Sequence, residues 1–202
     1  MKRSIVSRVI FLDIRTINLQ RCTMTIDLDK QKVSKIFLHL KEGRFLSQNA
    51  PSKSEKALFE YLEKHYENLQ EYFSFIGINL SLGDGYAYFS SLDSREKRLE
   101  VIYELIDYLN FFYNYNPLFD VGFHFLIADI ETKLKENMTL DLRLKKIKSL
   151  SGDTRRARLL ALISKLEKRG FIACEDEYLQ SYIVLNSFTY LVAFYNAIEI
   201  KE

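Results

Sequence analysis

The stretch from Thr154 to Leu185 constrains the fold more than any other part of the chain. In its first half, apolar residues recur at helical spacing and form one face, consisting of Leu159, Leu162, Ile163 and Leu166. Asp153 is suited to cap this helix, and Gly170 follows its last periodic residue. From Ile172 the apolar period becomes two, and it resumes after a charged turn. A basic helix, a glycine stop and a hairpin predict the second half of a winged helix, which a helix over Thr189–Ile198 closes.

The same series occurs earlier in the chain. An apolar stripe predicts a helix over Gln31–Glu42, and Ser52 with Glu55 forms a capping-box pattern before a helical period that runs nearly to Gly77. Alternating residues then flank Asp84-Gly85, which is a strong hairpin signal. Two copies of one architecture predict a mainly α fold with small β hairpins (α+β class), arranged as tandem winged-helix domains.

The chain has 202 residues, enough for one large domain or two small ones. A further helix, capped by Asp93 or Ser94 and buried along Leu99, Ile102, Tyr103, Ile106, Leu109 and Phe112, is predicted to end before Pro117. We place the boundary there, with an N-terminal winged-helix domain over residues 24–118 and a C-terminal one over 119–202. Helices are predicted over Phe123–Asn137 and Leu140–Leu150 in the second domain.

Residues 1–23 match no clean period and carry five basic residues against one acidic residue. We expect Met24 to be the true start, with the upstream segment read through. The alternative is a basic arm that folds on a partner.

Signatures of catalysis are missing from the sequence. It contains no P-loop, GxGxxG, HExxH or GxSxG motif, and no His pair at i, i+4. We therefore expect no enzyme activity, no cofactor and no metal, with His39, His65 and His124 in structural roles on helices. Cys174 is expected to be a small buried hydrophobe, and the acidic run Glu175–Glu177 to be a solvated turn rather than an acid/base pair. Two cysteines without CxxC and no long apolar segment predict a cytoplasmic protein without a membrane span.

Positive charge is concentrated in one segment. The formal net charge is only +2, yet residues 141–169 hold ten basic and three acidic residues. A recognition helix in a major groove has such charge. The candidate DNA-binding residues are Arg155, Arg158, Lys165, Lys168 and Arg169. The helix lacks Asn and Gln, so adenine readout is not expected, and weak non-specific DNA contact and a merely solvated helix face both stay open.

Aromatic residues cluster between Tyr108 and Phe125. Eight rings in this segment are too many for one small core, so we expect some to pack the two domains together and the rest to form an apolar patch for a protein partner. A large inter-domain core is the alternative. The candidate partner-binding residues are Tyr108, Phe112, Tyr115 and Phe119.

These patterns together resemble a known family. Five stretches that carry the resemblance follow one another along the chain. They are Leu40-Lys-Glu-Gly-Arg-Phe-Leu46, Lys56-Ala-Leu-Phe59 with Tyr72-Phe73 and Gly77, Gly85-Tyr-Ala-Tyr-Phe89, Leu166-Glu-Lys-Arg-Gly-Phe-Ile172 and Ser181-Tyr-Ile-Val-Leu185. This order is similar to that of the KITE subunits of bacterial condensins, MukE and especially the shorter MksE. The resemblance covers about Met24 to Ile200, and residues 1–23 depart from it.

The resemblance implies a non-catalytic subunit that dimerises and binds a kleisin of the MksF/MukF type. Through the kleisin it would join an SMC ATPase of the MksB/MukB type on the nucleoid, for chromosome organisation and segregation or for plasmid defence. The rival hypothesis is a winged-helix transcription regulator that binds a palindromic operator as a homodimer. The scarcity of base-reading residues on the basic helix counts against this rival.

Overall fold

The computed structural model describes residues 28–90 and 95–199, without the side chains of residues 95–100, 102, 198 and 199. The predicted start at Met24, the basic segment 1–23 and the Asp93 or Ser94 cap lie outside the described residues. None of the helices in the described part of the chain combines the length and apolar character needed to cross a membrane.

The N-terminal half follows the order helix, strand, two helices, hairpin. Its elements are α1 (Lys30–Leu40), β1 (Leu46–Ser47), α2 (Lys53–Lys64), α3 (Tyr66–Ser74), β2 (Asn79–Gly83) and β3 (Tyr86–Ser90). Asp29 caps α1, and the Ser52 hydroxyl accepts a hydrogen bond from the Glu55 N–H at the start of α2, as the capping pattern predicts. The long helical period is broken at His65, so it forms two helices.

The C-terminal half repeats this order with two additional helices, a third helix before the hairpin and one after it. It contains α4 (Arg95–Tyr115), β4 (His124–Leu126), α5 (Ile127–Glu136), α6 (Met138–Lys146), α7 (Arg155–Arg169), β5 (Ile172–Asp176), β6 (Ser181–Val184) and α8 (Phe188–Glu199). Gly170 ends α7 at φ 77°, the left-handed conformation expected of it. Helices with small hairpins confirm the predicted α+β class. The description of each half as a winged-helix domain remains an interpretation of the element order. The domain boundary at residue 118 stays a prediction.

Each half contributes one three-stranded antiparallel sheet among the described residues. The strand order is β1-β3-β2 in the first sheet and β4-β6-β5 in the second. Gly83 pairs with Tyr86 across the two-residue Asp84-Gly85 turn, which confirms the predicted hairpin. Both sheets therefore place the last strand of the hairpin in the centre and leave two edges.

Three sequence-based expectations about local structure are wrong. The helix predicted from Phe123 begins at Ile127, because residues 124–126 pair with β6 as a short strand. Thr154 rather than Asp153 caps α7, through a hydrogen bond from the Ala157 N–H to the threonine hydroxyl. Tyr103, expected on the buried face of α4, is 64% exposed.

The two halves are joined by the segment that contains β1. The Phe45 N–H donates to the Arg169 carbonyl at 2.8 Å, and the Asn49 side-chain amide donates to the Val184 carbonyl at 3.1 Å. The Ser187 N–H in turn donates to the Ser47 hydroxyl at 3.3 Å. Hydrogen bonds from backbone and side-chain groups thus meet at residues 45–49. These bonds hold the second sheet against the first half.

Hydrophobic packing reinforces this connection. One core cluster lies within the N-terminal half, between α1, α2, α3 and the first sheet. The larger cluster belongs to the C-terminal half but includes Phe45, whose ring lies 4.9 Å from that of Phe171 and 5.0 Å from that of Tyr190. The first half therefore contributes a large apolar side chain to the core of the second.

Candidate interaction surfaces

The basic helix α7 places its apolar face in the core as predicted. Leu159, Leu162, Ile163 and Leu166 are all buried. The basic residues of the helix are not simply solvated, because most of them bond to neighbouring elements. Their partners decide how much positive charge the helix presents to DNA.

Arg155 and Arg158 at the start of α7 bond to α6 and to the turn after it. The Arg155 Nε donates a hydrogen bond to the Asp141 carboxylate. The same carboxylate forms an ion pair with Lys145 at 2.8 Å. These hydrogen bonds hold the pKa of the largely buried Asp141 below its usual value. The Arg158 guanidinium donates to the carbonyls of Leu144, Lys145, Ile147 and Leu150. It therefore satisfies carbonyl groups left free at the end of α6.

Lys165 and Arg169 at the other end of α7 both bond to Glu104 of α4. Arg169 lies 3.4 Å from the carboxylate, and Lys165 forms a closer ion pair with it. The buried Tyr108 hydroxyl also donates to Glu104 and contacts the Ser149 hydroxyl at 2.9 Å. Burial alone would raise the pKa of Glu104, but these hydrogen bonds outweigh it and the pKa is lowered.

Lys168 differs from the other four candidates. It is exposed, and it forms no ion pair with any residue in the described part of the chain. The five candidate DNA-binding residues therefore do not form one surface that is available to bind DNA. Four are bonded within the protein, and Lys168 is the most available for a phosphate.

The aromatic candidates for partner binding lie inside the molecule. Tyr108, Phe112, Tyr115 and Phe119 are at most 7% exposed. Phe112 and Phe119 stack on each other with ring centroids 4.2 Å apart. The internal core, which the sequence left open as the alternative, accounts for this placement, and none of the eight rings forms an exposed patch. Partner contact by these four residues stays a prediction, which would require the core to open.

The histidines and the cysteine have structural surroundings. His39 on α1 contacts the Phe45 carbonyl through Nε2 at 3.1 Å, and burial lowers its pKa. His124 lies on β4, not on a helix, and its Nδ1 lies 2.7 Å from the Glu175 carboxylate across β6. Cys174 is partly buried on β5. No group of three potential metal ligands of the His, Cys, Asp or Glu type comes together within the described ranges.

A cleft between the two halves is a feature that sequence reasoning missed. Its volume is about 400 Å³. One wall is formed by the end of α1, the segment around β1 and the start of α2, and the other by the end of α7 and β5. Residues from 39 to 55 and from 167 to 185 meet here, so no local sequence pattern could have indicated it.

Comparison with models of protein families gives a match over most of the chain. The family model described as "Condensin complex protein MksE" matches residues 31–195, which is most of the chain. The matched region includes every strand described above and both walls of the cleft. No curated protein matches the chain closely enough to count as a relative.

Proposed function

Because this chain belongs to the MksE family of condensin complex proteins, we propose that it is a non-catalytic accessory subunit that dimerises and binds the kleisin of its complex. The match over residues 31–195 carries this proposal. The kleisin, of the MksF/MukF type, links the subunit to an SMC ATPase of the MksB/MukB type. ATP hydrolysis belongs to that ATPase, and the subunit itself is proposed to work in the cytoplasm on the nucleoid.

Two properties of the fold support a binding role. The halves are joined by hydrogen bonds and by the shared ring of Phe45, so surfaces on both can be presented to one partner in a constant arrangement. The second sheet also has an outer strand, β5, whose outward backbone groups can pair with an extended segment. A subunit that positions another protein needs such surfaces.

We propose only weak, sequence-independent DNA contact for the basic helix. Lys168 is the first candidate, and Arg155, Arg158, Lys165 and Arg169 contribute to the local potential while bonded to their internal partners. Non-specific affinity depends on the number of phosphate contacts, and one exposed lysine supplies few of them. Chromosome organisation and plasmid defence both use a complex that acts on DNA, and we propose a role in one of them.

The proposal is tested by purifying the tagged chain from its native cell and identifying co-purifying proteins by mass spectrometry. We expect a large coiled-coil ATPase and a kleisin in comparable amounts. Recovery of the chain alone with one enriched DNA fragment would instead indicate the transcription-regulator function and would contradict the condensin role.

A further inference from the structure

The cleft between the halves has an open strand edge along one wall. In β5–β6 pairing, the Leu185 N–H donates to the Phe171 carbonyl, and Ala173 pairs with Ile183 two residues later. Directly opposed residues in an antiparallel pair alternate between bonded and non-bonded positions. The backbone groups of Ile172 and Cys174 therefore point away from β6, and both residues line the cleft.

The charge of the cleft is predominantly negative. Glu55, Glu167 and Glu175 line it, against the single guanidinium of Arg44. His39 also lines it, but burial lowers the pKa of this imidazole and favours its neutral form at neutral pH. Burial also raises the pKa of the Cys174 thiol, which therefore adds no negative charge.

The three carboxylates differ in how they are paired. Glu55 lies 3.8 Å from Arg44, and Glu175 contacts His124. Glu167 forms no ion pair with a residue in the described part of the chain, although it is only partly exposed. The unpaired Glu167 carboxylate on α7 is therefore available to form an ion pair with a cation that enters the cleft.

A second polar group, on a residue that lines the cleft, also lacks a partner. The Nε atom of Arg44 is buried and has no hydrogen-bond acceptor among the described residues. A buried donor without an acceptor is unfavourable, so an oxygen supplied from outside would be favourable here. An extended peptide offers backbone carbonyls for such a donor and for the edge of β5.

We propose that an extended segment of the partner protein enters this cleft and adds to β5 as a fourth strand. The segment carries a Lys or Arg side chain against Glu167, and one of its oxygens accepts the hydrogen bond of Arg44 Nε. The cleft is concave and of the size of ordinary ligand pockets, so it suits one extended segment better than the surface of a second copy. This inference rests on the proposed function, because it names the surface where the kleisin binds.

Hydrogen exchange tests the strand addition without any substitution. The full chain is compared alone and in complex with the co-expressed kleisin, by mass spectrometry of peptides that cover 171–176. We expect exchange at β5 to slow by about tenfold or more in the complex, while the outward-facing amides of Leu80 and Leu82 on the edge strand β2 stay unchanged. Like β5, β2 is the first strand of its hairpin and an outer strand of its sheet, and its Leu80 carbonyl already accepts a hydrogen bond from the Tyr66 hydroxyl, so β2 serves as the control.

Failures of the two proposals can be told apart. If no kleisin binds, both the proposed function and this inference are contradicted. If the kleisin binds but exchange at β5 does not change, only the inference is wrong. Protection of β5 in the free chain that disappears when residues 1–23 are removed would show that the occupant is the chain's own basic segment, which also contradicts the inference.

Substitutions provide an independent test. Glu167→Lys reverses the uncommitted charge and should weaken kleisin affinity by about tenfold, whereas Glu136→Lys, the same charge reversal at an exposed residue of α5 outside the cleft, should leave it unchanged. Cys174→Pro removes an outward N–H from β5, and Leu82→Pro does the same on β2. Equal affinity for Glu167→Lys and wild type would overturn the proposed charge pairing, whatever the folding of the proline variants.

Discussion

The connection between the two halves can be tested at Phe45. This residue lies in the N-terminal half, is only 9% exposed and packs into the core of the C-terminal half, against Phe171 and Tyr190. A buried aromatic side chain removes about 150 Å² or more from water, and at about 25 cal/mol per Å² this is worth about 4 kcal/mol. Phe→Ala substitutions in cores cost about 3–5 kcal/mol.

Phe45→Ala should therefore lower the free energy of unfolding by about 3–5 kcal/mol, a large part of the 5–15 kcal/mol that is usual for a native protein. The backbone hydrogen bond from the Phe45 N–H to the Arg169 carbonyl is kept in this variant. The loss would thus measure the side-chain packing between the halves. We also expect the unfolding transition to become broader, because the halves lose a shared element of their cores.

Urea unfolding monitored by circular dichroism measures this effect, and tyrosine fluorescence gives a second signal, since the chain has no tryptophan. Phe75→Ala is the control: Phe75 is 77% exposed, and its removal should change the free energy of unfolding by less than about 1 kcal/mol. A loss below about 1 kcal/mol for Phe45→Ala would show that the ring does not join the halves.

Substitutions at three other residues lead to separate expected results. Glu104→Gln should destabilise the protein by about 2 kcal/mol at pH 7, since charge-assisted hydrogen bonds are lost. Because the folded-state pKa of Glu104 is lowered, its contribution is present above the ordinary pKa of 4.5 and is lost as the pH falls through the lower folded value, so the urea midpoints of variant and wild type should converge in that acidic range. Gly170→Ala should cost more stability than Gly43→Ala in thermal unfolding: both glycines have a positive φ, but an added Cβ at Gly170 would lie 2.6 Å from the Phe45 carbonyl oxygen, whereas nothing lies within 4 Å at Gly43; equal costs would contradict the described contact. Lys168→Glu should weaken non-specific DNA binding by the purified complex and reduce its salt slope by about one, and an unchanged slope would remove Lys168 from the DNA contact.

Local chemistry made much of the fold predictable. The Ser52 cap, the Asp84-Gly85 turn and the Gly170 stop depend on a few neighbouring residues, and the structure confirms all three. The apolar face of α7 is confirmed because a single period covers the whole helix. The local sequence is therefore enough to predict these elements.

The short strand β4 could not be predicted in the same way. It has only three residues, and its pairing partner β6 lies more than fifty residues further along the chain. Without that partner, the sequence from Phe123 continues the helical period of α5. The same error placed His124 on a helix, away from its actual neighbour Glu175.

The candidate sites depended even more on contacts between distant residues. Glu104 pairs with Lys165 and Arg169 from another helix, and the sequence contains no local sign of this pairing. The aromatic segment was expected to exceed one small core, but Phe45 shows that the core extends across both halves and is larger than one repeat suggests. The cleft is formed by segments more than one hundred residues apart, so only the tertiary structure reveals it.

Native mass spectrometry of the chain co-expressed with its kleisin tests directly whether this chain is a kleisin-binding condensin subunit. We expect one assembly that contains the kleisin and two copies of this chain, stable through purification. Separate masses for the two proteins, at concentrations where each is folded, would contradict its role as a kleisin-binding condensin subunit.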